Sequence, residues 1–130
     1  MIKAYLAGFP SLYEGEDIEV RYTIFEDQEL LLKESVVLEY VKPIIVGQVA
    51  LIKLLIILER YTEEDIAIIV NDAALCELIR GTSTTKNKDV LQMARDIKKE
   101  LAKFKKLNIK DVREDRVEFK KWNEVLQPQH

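Results

Sequence analysis

The sequence predicts an α/β protein: a five-stranded sheet of mixed direction with helices packed against it. Three observations carry that expectation. Three strand-like segments follow one another at the start of the chain, with connections too short for crossovers. A long apolar run then leads into residues 66–70, which are apolar on both faces, the pattern of a covered central strand. Behind it come a short helix, a helical-period segment and one more short strand.

Ile2–Phe9 reads as the first strand, with Pro10 and Gly15 marking the turn after it. Ile18–Glu26 alternates, with Ile18, Val20, Tyr22 and Ile24 on one face. Asp27 and Gln28 form a short connection into a third strand over residues 29–40. Pro43 suits the first turn of a helix. Residues 44–61 are apolar nearly all round, as expected of a helix set on a sheet and covered on its other side. Thr62, Glu63, Glu64 and Asp65 lead into the strand at 66–70. A helix between the third and fourth strands implies a crossover and a parallel neighbour for the first strand.

Asp72 follows that strand at once, and Ala73–Arg80 reads as a short helix closed by Gly81. Residues 89–106 form an amphipathic helix, with Val90, Ala94, Ile97, Leu101 and Phe104 spaced 4, 3, 4 and 3. Asn87 is its expected cap. Residues 108–112 give the fifth strand. Residues 117–126 give a last helix, packing through Val117, Trp122, Val125 and Leu126. Residues 127–130 are expected to fray.

A chain of 130 residues with 48% hydrophobic and 33% charged residues is expected to form one domain, residues 1–130, with a buried core. The single Cys76 excludes an internal disulfide and a cysteine-based metal cluster, and its apolar setting reads as a packed thiol. The only histidine, His130, is terminal, which argues strongly against a histidine-dependent triad. The chain has neither a Walker loop nor a GxGxxG motif, and its four glycines are too scattered to cradle a nucleotide. The first ten residues lack a secretory segment. The apolar run at 41–58 is interrupted by Lys42, Gln48 and Lys53, which favours a buried helix over a membrane span. The expected location is cytoplasmic, without membrane attachment. The Lys, Glu and Ile richness suits a thermophile. From Lys86 onward there are 13 Lys and Arg against 8 Asp and Glu, whereas the preceding residues carry 7 against 15. A basic C-terminal third either attracts phosphate backbones or is a solvated, internally paired face.

The order of elements and several motifs resemble the ribonuclease H family over nearly the whole chain. Tyr5-Leu6-Ala7-Gly8 matches the end of that family's first strand, with Ala7 at the place of an aspartate. Val46-Gly47-Gln48-Val49-Ala50-Leu51-Ile52 matches its first helix, with Gly47 at the place of a glutamate. Asn71-Asp72-Ala73 matches the acidic end of its fourth strand. Gly81 and the pair Lys86-Asn87 match the glycine and the helix start that follow. Lys120 falls at the last acidic position, with Glu118 and Glu124 nearby but out of register. The resemblance implies a ribonuclease H-like sheet of three antiparallel strands followed by two parallel-type strands. It also implies a site whose carboxylates hold two divalent ions. Only Asp72 is retained among the matched positions. Ile2–Phe9 holds no acidic residue at all, and neither does the segment 43–58.

The expectation is a non-catalytic ribonuclease H-like domain that acts as a nucleic-acid-binding or scaffold module. An RNA–DNA hybrid or another duplex is its expected ligand. Two alternatives stay open: a protein-interaction or self-assembly domain, as a homodimer or with another protein, and an active hybrid nuclease recruiting Glu14, Asp17 or Glu118. Asp72 reads either as a helix cap or as a residual ligand. No cofactor is expected, apart from the weak magnesium or manganese binding that Asp72 alone would support. Thr85, Lys86 and Asn87 are candidate phosphate contacts at a helix start, which otherwise form an ordinary capped loop. Lys98 and Lys99 are candidates for a backbone-binding face. Trp122 reads as a packing anchor or a base-stacking residue.

Overall fold

A computed structural model of the chain describes residues 1–82 and 84–128. The end of the segment expected to fray, including His130, lies outside the described residues. Five strands form one sheet in the order β3-β2-β1-β4-β5: β1 (Ile2–Phe9), β2 (Ile18–Glu26), β3 (Glu29–Leu38), β4 (Asp65–Val70) and β5 (Lys106–Asp111). β1 pairs antiparallel with β2 and parallel with β4, β2 pairs antiparallel with β3, and β4 pairs parallel with β5. This is the mixed sheet that the order of elements predicts.

The β2–β3 hairpin turns on Asp27 and Gln28, at φ 47° and 76°. Both lie in the left-handed region that a two-residue hairpin turn demands. β3 ends at Leu38, short of residue 40, because its partner strand begins there: Ile18 pairs with Leu38. The helix expected over 44–61 is one α-helix, α1 (Val46–Ile57), with a single 3₁₀ turn at either end, Pro43–Ile45 and Leu58–Tyr61. Leu51, Leu54, Leu55 and Leu58 are fully buried against the sheet. Each contributes about 1.5–3 kcal/mol of burial free energy.

Gly81 closes α2 (Ala73–Arg80) in the left-handed conformation at φ 75°. α3 (Lys88–Leu101) stops five residues before the helix end that its periodicity predicts. Phe104 keeps the apolar spacing and is buried, but it arrives there on a turn, its N–H bonded to Leu101 O at 3.1 Å. Lys105 N–H then donates to Thr62 O at 2.9 Å, and β5 begins at Lys106, opposite Asp65. Pairing with β4 therefore ends the helix and starts the strand two residues earlier than residue 108. α4 (Arg116–Val125) follows, capped by Asp115, whose carboxylate accepts from Val117 N–H and Glu118 N–H at 3.1 Å each.

The main core lies between one face of the sheet and the helices α1, α2 and α3, and includes Ile2, Val20, Leu54, Ile68, Cys76 and Ile97. A smaller cluster on the other face joins Tyr5, Ala7, Ile69, Val112 and Leu126 under α4. Val117, expected to pack, is instead 77% exposed. Among the described residues no helix is long and apolar enough to cross a membrane.

Candidate functional site

Because β1 and β4 are parallel neighbours, their C-terminal ends open on the same side of the sheet. A crevice at such strand ends is where α/β proteins place their ligands. Ala7 and Gly8 come from β1, Asn71 and Asp72 follow β4, and Gly47 stands in the first turn of α1. Together with Trp122 of α4 they line a cleft of about 80 Å³.

Two glycines shape this cleft. A Cβ on Gly8 would come within 3.1 Å of Ala50 Cβ and Val46 Cγ1, so glycine lets the start of α1 sit directly on β1. A Cβ on Gly47 would overlap Oδ2 of Asp72. The other carboxylate oxygen, Oδ1, accepts from Leu75 N–H at 3.0 Å and caps α2. The geometry thus contains the helix cap, with the rest of the carboxylate packed over a bare Cα.

α4 closes the cleft from the other face. Trp122 Nε1–H donates to Leu6 O at 2.8 Å, and the Phe119 ring stacks on Trp122 with centroids 6.4 Å apart. Lys120, the residue matched to the last acidic position, is exposed on α4, and the side chain that reaches the cleft is Trp122. Neither has an oxygen to offer a metal.

The substitute carboxylates do not converge here. Glu118 is buried, accepts from Tyr5 Oη–H at 3.2 Å and pairs with Lys3 Nζ at 2.8 Å, nearer the start of β1. Burial pushes the Tyr5 hydroxyl above its ordinary range, with Lys3 opposing. Glu14 and Asp17 are exposed in the β1–β2 connection. Among the described residues no group of three or more His, Cys, Asp and Glu is placed to hold a metal ion. Magnesium takes oxygen ligands in strict octahedral geometry, and a two-ion site needs several shared carboxylates. The donor set around Asp72 does not fit that pair.

Thr85 lines a second groove with Gly47, Gln48, Asp72, Leu78 and Val90, of about 390 Å³, next to the first. Its hydroxyl accepts from Asn87 N–H at 3.1 Å, while Asn87 Oδ1 caps α3 by accepting from Asp89 N–H at 2.9 Å and Val90 N–H at 3.1 Å. Lys86 is exposed between them. Thr85 therefore belongs to the Asp72 groove, and Lys86 and Asn87 follow it in the chain without lining that groove. Lys98 and Lys99 are exposed near the other end of α3, roughly 16 Å further along the helix axis. Lys98 borders a different groove, between α2 and α3, with Arg80 and Arg95. Cys76 is 3% exposed, and burial raises its thiol, as a packed residue requires. Phe9 lines the cleft and Phe119 backs Trp122 from outside it, and neither stands out in the sequence as a site residue. The i, i+3 spacing of Phe119 and Trp122 was the available signal.

Sheet order, strand directions and helix placement are those of the ribonuclease H fold. The chain superposes on ribonuclease H1 of the halophilic archaeon Halobacterium salinarum with a TM-score of 0.79 and 15% identity, over 95% of this chain and 92% of that one. It superposes on the N-terminal ribonuclease H domain of a Mycobacterium tuberculosis protein with a TM-score of 0.74 and 12% identity, over 97% and 98%. A ribonuclease H1 in complex with an RNA/DNA hybrid gives 0.74 and 15% identity, over 97% and 96%. No family model and no curated protein matches the sequence. At these identities the likeness establishes the fold.

Proposed function

We propose that this chain is a non-cleaving ribonuclease H-like domain that binds nucleic acid. The observation that carries the first half is the isolation of Asp72. Among the described residues it is the one acidic side chain lining the cleft, and no second carboxylate stands beside it to share a metal ion. Ala7, Gly47 and Trp122 add no ligand, so the site lacks the means to activate a metal-bound water.

The second half is supported by the neighbouring groove. Lys86 and Lys88 are exposed at the N-terminus of α3, beside Thr85, in the net basic third of the chain. Helix starts with nearby cations suit phosphate oxygens. That a protein of the same fold has been solved with an RNA/DNA hybrid makes this the first ligand to try. The test is anisotropy of a labelled RNA–DNA hybrid across a salt series. Binding should weaken steeply with salt, and Lys86→Glu should lower both the affinity and the salt slope. Salt-independent affinity, or full affinity in Lys86→Glu, contradicts the reading.

A second reading is favoured by the open sheet edge. Among the described residues β3 pairs with no strand on its outer side, and Leu30 and Val37 are 57% and 65% exposed along it. Such an edge supports pairing with another chain. Sedimentation equilibrium decides it: a dimer abolished by Val37→Lys, in a protein without affinity for nucleic acid, would put this reading first.

A further inference from the structure

The side chains at the cleft suit a base better than a phosphate. Trp122 forms one wall, stacked on a Phe119 ring that is 41% exposed. Phe9, 36% exposed, stands on the β1 side with the Arg21 guanidinium 4.6 Å from its ring centroid. The polar groups left inside are the Asn71 carboxamide and the Asp72 carboxylate. Apolar walls and a carboxylate repel a phosphate group. An aromatic wall accepts the face of any base, and a carboxylate accepts a hydrogen bond from an exocyclic amine.

The dimensions restrict the ligand further. A cleft of about 80 Å³ takes part of one base and no duplex. A base offers its face to a side chain only when it is unstacked, as in a single strand. The cations that would meet the backbone lie outside the cleft. Lys120, next to Phe119 on α4, is exposed and has no ion-pair partner among the described residues.

The geometry points to a base pocket in place of a metal site: one unpaired, amine-bearing base of a single strand packs against Trp122, which Phe119 backs from outside the cleft, and Asp72 accepts from its amine. This inference rests on the nucleic-acid reading above and names the strand and the base class.

Trp122 is the only tryptophan, so its emission reports the cleft directly. Short labelled homopolymers of deoxycytidine and of thymidine are titrated into the full chain, and anisotropy and Trp122 emission are read together. The expected result is quenching by the deoxycytidine strand, which binds about tenfold tighter than the thymidine strand. Phe119→Ala removes the ring that backs Trp122 and should weaken that binding several-fold. Asp72→Asn keeps a good helix cap and should abolish the preference between the two strands. Binding with unchanged Trp122 emission, or full affinity in Phe119→Ala, overturns the base pocket. Salt-dependent binding of the hybrid, with neither single strand bound, overturns the base pocket while upholding the nucleic-acid reading. Failure of all three nucleic acids to bind overturns both.

Discussion

The carboxylate of Asp72 occupies the space into which a side chain on Gly47 would project. The two residues sit on different elements, one after β4 and one in the first turn of α1, so this contact ties the strand end to the helix. Alanine at position 47 would favour the helix by up to about 1 kcal/mol. It would also force Asp72 to turn and loosen a cap worth about 0.5–2 kcal/mol. The two substitutions are therefore coupled. In a double-mutant cycle by urea denaturation, Gly47→Ala should be more favourable by about 1 kcal/mol in an Asp72→Ala background than in the wild type. Additive effects would mean that the carboxylate is free to move.

Glu118 is a structural residue in this account. It is buried and holds Tyr5 and Lys3 together across α4 and β1. Glu118→Ala leaves a buried hydroxyl unpaired and should cost about 1–3 kcal/mol in unfolding free energy. Hybrid affinity at a temperature where the variant is folded should stay unchanged. A selective loss of binding without loss of stability would place Glu118 in the functional site.

The β2–β3 turn carries a correctable defect. Gln28 sits at φ 76°, where an L side chain is disfavoured and glycine is not. Gln28→Gly makes an Asp-Gly turn and should raise stability by about 1 kcal/mol, seen as a higher denaturation midpoint with an unchanged slope.

α4 should respond to acid. Asp115 is held below the ordinary aspartate range by Lys110, whose Nζ lies 2.8 Å away, and by the N–H groups of Glu118 and Val117. A carboxyl depressed in the folded state adds stability that is present above its unfolded value, about 3.9, and is lost as pH falls through the folded value. Loosening of α4, read from Trp122 emission, should therefore develop below about pH 4. Asp115→Asn, which keeps a capping side chain, should weaken that dependence. An identical acid profile in the variant would show that another group controls the docking of α4.

What the sequence makes legible is what local rules decide. β1, β2 and α2 match their expected bounds because alternation, the Asp72 cap and Gly81 are written within a few residues. The end of α3 is not local: Phe104 keeps the helical spacing, and only pairing of Lys106 with Asp65 reveals that the chain has already left the helix. The same division holds at the site. Asp72, Ala7 and Gly47 are readable because they adjoin recognisable strand and helix starts. The exposure of Lys120 and the approach of Trp122 follow from how α4 crosses the sheet, from Glu118 over β1 to Val125 O against Thr23 of β2. No periodicity within the helix fixes that crossing.

The most direct test of the central claim uses one set of samples: the full chain with a labelled RNA–DNA hybrid in low salt, first with magnesium and then with manganese, read for both mobility shift and strand cleavage. The account predicts a shifted hybrid whose strands stay intact in either metal. Cleavage of the RNA strand that Asp72→Asn abolishes would contradict it, and would show that a working metal site assembles around Asp72 after all.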